Sequence, residues 1–453
     1  MMNSAQMQLA RFIHDTCFSD IPPALVERCK RHILDTLGAA LAGVDSDVWQ
    51  TTFHIVEADG AAPRAQVWGS ICRTSARNAA LLNGIAAHMY ELDDTGGCDH
   101  SGAVVVPAAL AVLPLCPQPV SGQQLITAVM LGYDVGRRVL EACGGYSAHN
   151  GKGWHSTATC GVFGAAAAAA YLLQLTPAQT SAALGIAGSF SGGLWAFIHD
   201  GSQSKKLHAG RAAEGGVLAA QLAAGQVSGP QKLFDDVWGG FLATLAGQDA
   251  QPEALTDGLG DVWKLARCSI KPYASCRGVH SAIDAVGILM TSMDISMNDV
   301  ASINVSLSRF LHGMCGGCDL DSLAAAQMSL PYALAARLIH GHAGLSAYSV
   351  DKRHDPDIQR LLSRITLHID DQQDDDSEPL LTLTTYRGAR QQHRVGIPLG
   401  APTNPLSDAD LLAKFTTLAT RVVSEQQAQS VISFCLALEQ ETDCRMLTSL
   451  LSC

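Results

Sequence analysis

From Ile21 to about Ala266, apolar side chains return at three- and four-residue spacings almost without interruption, which predicts a succession of helices. Start signals fall where that pattern needs them. Thr176-Pro177-Ala178-Gln179 offers a hydroxyl at the N-cap, proline at the first helical position and glutamine three residues after the cap, and Ser121 to Gln124 repeats the capping-box pattern. The alanines Ala165 to Ala170 let helix backbones approach closely, so the first part of the chain reads as an all-α domain. After roughly Cys268 the period changes. Ile303, Val305 and Leu307 alternate with polar residues, as do Ile365, Leu367 and Ile369, and both runs predict strands. Leu381 to Tyr386 predicts a third strand, joined through Arg387-Gly388-Ala389-Arg390 to Gln391 to Ile397 as a hairpin. Between the strands, Ser322 to His340 keeps a helical period, which gives an α+β second domain. A proline-bounded loop, Ala401 to Pro405, ends the strands, and Ser407 with Asp410 opens a last helical stretch free to return to the first domain.

A chain of 453 residues with 47% hydrophobic and 16% charged residues exceeds what one core usually organises, so two domains are expected. Its formal charge of -12 and pI near 5.7 argue against nucleic acid or an anionic membrane as partner. An anionic substrate would then need a locally basic pocket, which makes the scarce lysines Lys205, Lys206 and Lys271 informative. The uncharged run Ser156 to Ile198 is broken by Pro177 and rich in Ala, Gly and Ser, so it reads as buried helices and not as a membrane span. Fourteen scattered cysteines and no signal peptide suggest free thiols in a reducing compartment, with the cytoplasm as the expected location. Cys315 and Cys318 have no second cysteine pair or paired histidines behind them, and no three cysteines are spaced for an iron–sulfur cluster, so neither metal nor cofactor is expected. The acidic residues Asp370, Asp371, Asp374, Asp375 and Asp376 read as a solvated loop at a strand exit.

Four stretches concentrate chemistry. Glu91, Asp93, Asp94, Thr95, Asp99, His100 and Ser101 lead straight into the apolar run Ala103 to Leu115, the composition of a cleft edge; plain helix capping by Asp93 or Asp94 is the alternative. Gly151-Lys152-Gly153-Trp154-His155-Ser156-Thr157 precedes the Ala/Gly helix, and helix-start amides there suit a carboxylate, with His155 beside it. Ser204 to Arg211 carries Lys205, Lys206, His208 and Arg211, cations suited to a substrate with several carboxylates or simply to solvent. Lys271-Pro272-Tyr273-Ala274-Ser275-Cys276, with Arg277 and His280 behind it, sits at the expected domain change, where a lysine can close over a ligand.

Taken in order, Asn83-Gly-x-x-Ala-His88, Asp93-Asp94-Thr95, His100-Ser-Gly, Gly153-Trp-His-x-Thr157, Lys205-x-Leu-His208, Gly210-Arg-Ala-Ala213 and Lys271-x-Tyr-x-x-Cys276 resemble the MmgE/PrpD family over about residues 20 to 400. That family includes 2-methylcitrate dehydratase, cis-aconitate decarboxylase and iminodisuccinate epimerase. The resemblance implies a mainly α fold: a large all-α domain, residues 1–266 completed by 401–453, plus a smaller α+β lid domain, 267–400, usually as a homodimer. It also implies an interdomain pocket. There His155, His100, Lys205, Lys271 and Asp93 would be catalytic, and Thr95, Glu91, Thr157, His208, Arg211 and Cys276 would bind substrate.

The expected function is therefore a cofactor-independent lyase that moves a proton next to a carboxylate of a small anionic substrate. A 2-methylcitrate dehydratase-like hydro-lyase is the first expectation, an epimerase or isomerase of a dicarboxylate the second. A cis-aconitate decarboxylase-like enzyme and an inactive carboxylate-binding relative follow. Decarboxylation ranks lower because Glu91 stands where those decarboxylases carry aspartate, Cys276 stands where they carry histidine, and no tyrosine lies around Cys315 to Cys318.

Overall fold

The computed structural model describes residues 4–453. Its body is a stack of helices, chiefly Pro23–Gly43, Ala76–His88, Ser101–Val112, Gly122–Ala142, Gly161–Leu172, Pro177–Gly188 and Ser204–Ala224. Both expected capping boxes form, with the Thr176 and Ser121 hydroxyls accepting from the amides of Gln179 and Gln124. Ser101–Val112 is buried along its whole length, so it is apolar all round and not amphipathic. Small residues set how closely these helices cross. A Cβ placed on Gly210 would stand 2.3 Å from the Leu81 carbonyl oxygen, and one on Gly164 would stand 2.5 Å from that of Gly132.

The helical expectation for the first half fails in two places. Ala65–Gln66 pairs antiparallel with Arg73–Thr74 as a short ribbon. Between Gly225 and Cys268 the chain is mostly turns and short 3₁₀ segments, with one five-residue helix, Phe241–Leu245. Gly229-Pro230, Gly239-Gly240, Gly258 and Gly260 interrupt the helical period there.

The later strands form one four-stranded sheet in the order Ile365–Ile369, Val300–Leu307, Leu380–Thr385, Arg390–His393; the first pair is parallel and the others antiparallel. The hairpin is shorter than its sequence suggests. The Val395 carbonyl accepts from the Ser281 hydroxyl at 2.6 Å, which draws the expected end of the last strand out of the ladder. The expected Ser322 to His340 helix is also split, into Leu323–Gln327 and Leu330–His340, because Ser329 caps a new start and Pro331 occupies its first turn. The sheet shares a core with His280–Ser292 and Leu330–His340. A further apolar cluster joins Ala39, Ala42 and Leu92 of the body to Tyr332, Ala335 and Tyr348.

The helix Asp408–Ala419, from the last part of the chain, packs on Pro23–Gly43, with Phe415 against Gly38. Its Lys414 ammonium donates to Asp35 Oδ1 at 2.5 Å, to the Leu92 carbonyl at 2.8 Å and to the Lys271 carbonyl at 2.7 Å. Among the described residues no helix is long and apolar enough to cross a membrane.

Because the Gly210 crossing abuts backbone, Gly210→Ala should lower the stability to urea by about 1–3 kcal/mol, an overpacking effect that denaturation followed by circular dichroism will measure.

Candidate active site

The helix Ala76–His88 delivers a loop, Tyr90 to His100, against the N-terminal end of Ser204–Ala224 and against the Lys271 segment. Reciprocal backbone bonds, Thr95 N to Ser269 O at 3.0 Å and Ser269 N to Thr95 O at 2.8 Å, tie that loop to the strand leading into Lys271. Two of its acidic residues hold the left-handed backbone conformation that side chains other than glycine seldom adopt, Glu91 at φ 54° and Asp99 at φ 86°. Such strain persists where surrounding contacts fix it, and here both side chains are buried ion-pair partners.

Glu91 is the hub. Its Oε1 lies 2.7 Å from both the Lys205 and Lys206 ammonium groups, and its Oε2 lies 3.6 Å from Lys271. Burial alone pushes a carboxyl up, but Lys205, Lys206, His88 and Lys271 together hold Glu91 well below the usual carboxylate range. Burial also works against the Lys205 ammonium, yet Glu91, Cys276 and Asp99 raise it above an ordinary lysine. Lys206 is lowered, first by burial and then by repulsion from Lys205. The Lys271 ammonium and Glu91 Oε2 have no hydrogen-bond partner. Lys205 also sits 5.8 Å from the Trp195 ring and 5.9 Å from that of Phe197, within cation–π reach.

Beside this hub stands a group of imidazoles. His100 Nδ1 lies 2.9 Å from Asp93 Oδ2, and His100 Nε2 lies 3.5 Å from Asp99 Oδ2. Burial pulls His100 down, but the Asp93 and Asp99 carboxylates outweigh it and raise its pKa. His155 behaves oppositely. Burial, then Lys205 and His100, bring it down to about 4 against the pull of Asp99, so it is neutral at pH 7. His155 Nε2 is 3.7 Å from Asp99 Oδ2, and its Nδ1 is 2.8 Å from His208 Nδ1. Trp195 stands edge-on to the His155 ring at 5.2 Å. One carboxylate, Asp99, thus lies between an imidazole whose pKa is raised and one whose pKa is lowered.

These groups border a cavity of about 590 Å³. Glu91, Thr95, Asp99, His100, Lys205 and Cys276 line it, with Arg137, Arg267 and Arg277 around it. His155 does not line it: the ring is fully buried, behind Asp99 and His100. Thr157 is a buried spacer, its hydroxyl 3.3 Å from His155 Nε2 and accepting from the His100 amide at 3.5 Å. Asp93 and Lys271 are buried behind the wall, 3.9 Å apart. Cys276 is lowered to about 7, first by the Cys315 thiol and then, against burial, by Lys205. Arg211 does not join the site; its guanidinium is exposed and pairs with Glu214 one turn along the helix.

Several participants escaped sequence reasoning. Asp99 was visible only as part of an acidic run. His88 had motif neighbours but no assigned role, and Lys206 was read as a cation for substrate, not as a partner of Glu91. Gln327 had no signal at all, a single amide in a short helix. Its side-chain N–H groups donate to the Tyr90 and Ala274 carbonyls at 2.7 and 3.1 Å, and its Oε1 accepts from Lys206 at 3.4 Å. Asp375 and Asp376, expected only as solvated loop residues, also contribute to the cavity lining.

Residues 7–253 match the MmgE/PrpD N-terminal domain and residues 273–440 the MmgE/PrpD C-terminal domain. The chain belongs to the MmgE/PrpD family. Curated relatives from this MmgE/PrpD comparison include the cis-aconitate decarboxylase of Aspergillus terreus, 29% identical with 98% of this chain and 95% of the relative covered. Those of Homo sapiens and Mus musculus are 28% and 26% identical over the whole of this chain and 95% and 94% of their own.

The neutral His155 gives the folded protein a pH dependence of definite sign. A histidine lowered from 6.5 to about 4 stabilises the fold above pH 6.5, and that contribution is lost as pH falls toward 4. Stability to urea should therefore fall between pH 7 and 4.5, and His155→Gln should reduce that fall by about 2–3 kcal/mol.

Proposed function

We propose that this protein is a cofactor-independent lyase that acts on a small tricarboxylate, with decarboxylation of cis-aconitate as the leading reaction. The observation that carries the reading is His100, its pKa raised by Asp93 and Asp99, standing beside cations at a cavity wall. Relatives that match nearly the full length of the chain and bear that activity support it.

The chemistry follows from charge. A tricarboxylate brings three negative charges, and Lys205 with Arg137, Arg267 and Arg277 surrounds the space it would enter. When the bond to one carboxylate breaks, carbon dioxide leaves and the electron pair spreads over the adjacent unsaturated carboxylate as an enediolate-like species. Lys205, and Lys271 behind Glu91, stabilise that added charge, by about 3 kcal/mol for a well-placed donor. His100 then gives its proton to carbon, so that trianion plus proton becomes dianion plus carbon dioxide. The charged state favoured by Asp93 and Asp99 is the state an acid needs.

A specific observation favours a second reading, hydro-lyase action on a hydroxytricarboxylate. Glu91 lines the cavity, yet its Oε2 has no donor, and a substrate hydroxyl would supply one where cis-aconitate cannot. His100, its pKa raised by Asp93 and Asp99, would serve as the acid that dehydration requires. The homodimer and the cytoplasmic location implied by the family resemblance belong to the same proposal.

Incubation of the purified protein with cis-aconitate, 2-methylcitrate and citrate in deuterated water tests it. Carbon dioxide release with one deuterium in the product is the expected result, and His100→Gln should lower the rate about 100- to 10,000-fold. A new conjugated double bond without carbon dioxide selects the hydro-lyase. The absence of turnover with any polycarboxylate overturns both.

A further inference from the structure

We propose that Asp99, His100 and His155 form a binding site for a borderline divalent transition-metal ion, with Zn²⁺ as the type, and that the bound ion blocks the acid–base pair. Three donor atoms converge. Asp99 Oδ2 is 3.5 Å from His100 Nε2 and 3.7 Å from His155 Nε2, and all three lie within 4.8 Å of one another. A tetrahedral zinc with bonds of roughly 2.0–2.2 Å holds its ligands about 3.3–3.5 Å apart, so small side-chain movements close the site. Two imidazole nitrogens and one carboxylate oxygen suit zinc or iron(II) in preference to magnesium or calcium.

The outer contacts orient these donors as metal sites require. His155 Nδ1 faces His208 Nδ1 at 2.8 Å, which leaves Nε2 toward Asp99. His100 Nδ1 stands 2.9 Å from Asp93 Oδ2, the carboxylate–histidine arrangement that presents Nε2 as a ligand. Asp99 Oδ1 accepts from the Thr95 hydroxyl at 3.2 Å, and its Oδ2 stays free for the ion. The Thr157 hydroxyl, 3.3 Å from His155 Nε2, can rotate away. Asp99 and His100 line the cavity, so an ion reaches the site from there and keeps an open position toward it for water or a carboxylate. Glu91 draws the nearest ammonium groups, Lys205 and Lys206, onto its Oε1 and offsets part of the charge that would repel a cation. A neighbouring triad, His88, Asp93 and His100, lies behind the wall: its His88 and Asp93 are fully buried and absent from the cavity lining.

An ion so placed occupies the Nε2 lone pairs of both imidazoles, which then neither accept nor deliver a proton. The binding site rests on donor geometry and is read out by binding, not turnover, whereas the blocking of the acid–base pair rests on the proposed lyase reading. Chelator-treated, chelator-free protein is titrated with Zn²⁺ by calorimetry and with Co²⁺ by visible absorption. One ion per chain is expected, with ligand-field bands of nitrogen and oxygen donors and no sulfur-to-cobalt charge transfer. Affinity should fall at least about tenfold in Asp99→Asn and in His155→Gln, and several-fold in His208→Gln, which removes an outer contact. Cys276→Ser should leave it unchanged. Circular dichroism and melting confirm that each variant is folded, and either ligand variant with His208→Gln suffices if the other fails to fold. Lack of stoichiometric binding, a thiolate charge-transfer band, or affinity unaltered in the folded variants overturns the proposal.

Discussion

A single buried carboxylate, Glu91, organises the site by requiring three ammonium groups from two distant stretches of chain. An unpaired buried charge destabilises by several kcal/mol, and so does each unpaired lysine, so none of the four groups is tolerable where it stands without the others. Lys205 and Lys206 are adjacent on one helix and would ordinarily point apart, yet both end on the same oxygen. Lys271 arrives from the far side of the Thr95–Ser269 bridge. These contacts tie the body to the strand-bearing part, and the same ammonium groups act on His100 and His155, whose pKa values are shifted in opposite directions.

The helical body was legible because its signals are local. Capping boxes and alanine blocks act within a few residues, and Thr176 and Ser121 cap as their neighbours dictate. The central strands were legible for the same reason, as alternation along Val300–Leu307 and Ile365–Ile369 survives in the sheet. What failed depended on distant partners. The last strand ends early because Ser281, more than a hundred residues away, takes the Val395 carbonyl. At the site, the motifs pointed to the right loops but not to who touches the cavity: His155 retreats behind Asp99, and Arg211 turns outward to Glu214. Periodicity says which face of a helix is apolar, whereas the ranking of groups around a cavity depends on how several loops meet.

Glu91 and Cys276 matter for where charge is placed at the cavity wall. Glu91 is one methylene longer than aspartate, enough for one oxygen to reach two ammonium groups while the other remains without a donor. Cys276 places a thiol under the influence of Lys205 and Cys315 at the cavity wall, where a histidine would bring a ring with two polar nitrogens. Both residues touch the space a substrate would occupy, so substrate preference within the family is the property they bear on most directly.

Lys414 comes from the late helix Asp408–Ala419, more than three hundred residues from the Tyr90 to His100 loop, yet it holds the carbonyls of Leu92 and Lys271 and the Asp35 carboxylate together. During synthesis every motif of the site leaves the ribosome before this lysine does. The nascent chain therefore carries a complete set of reactive side chains in an unfinished arrangement until this late helix emerges to lock it.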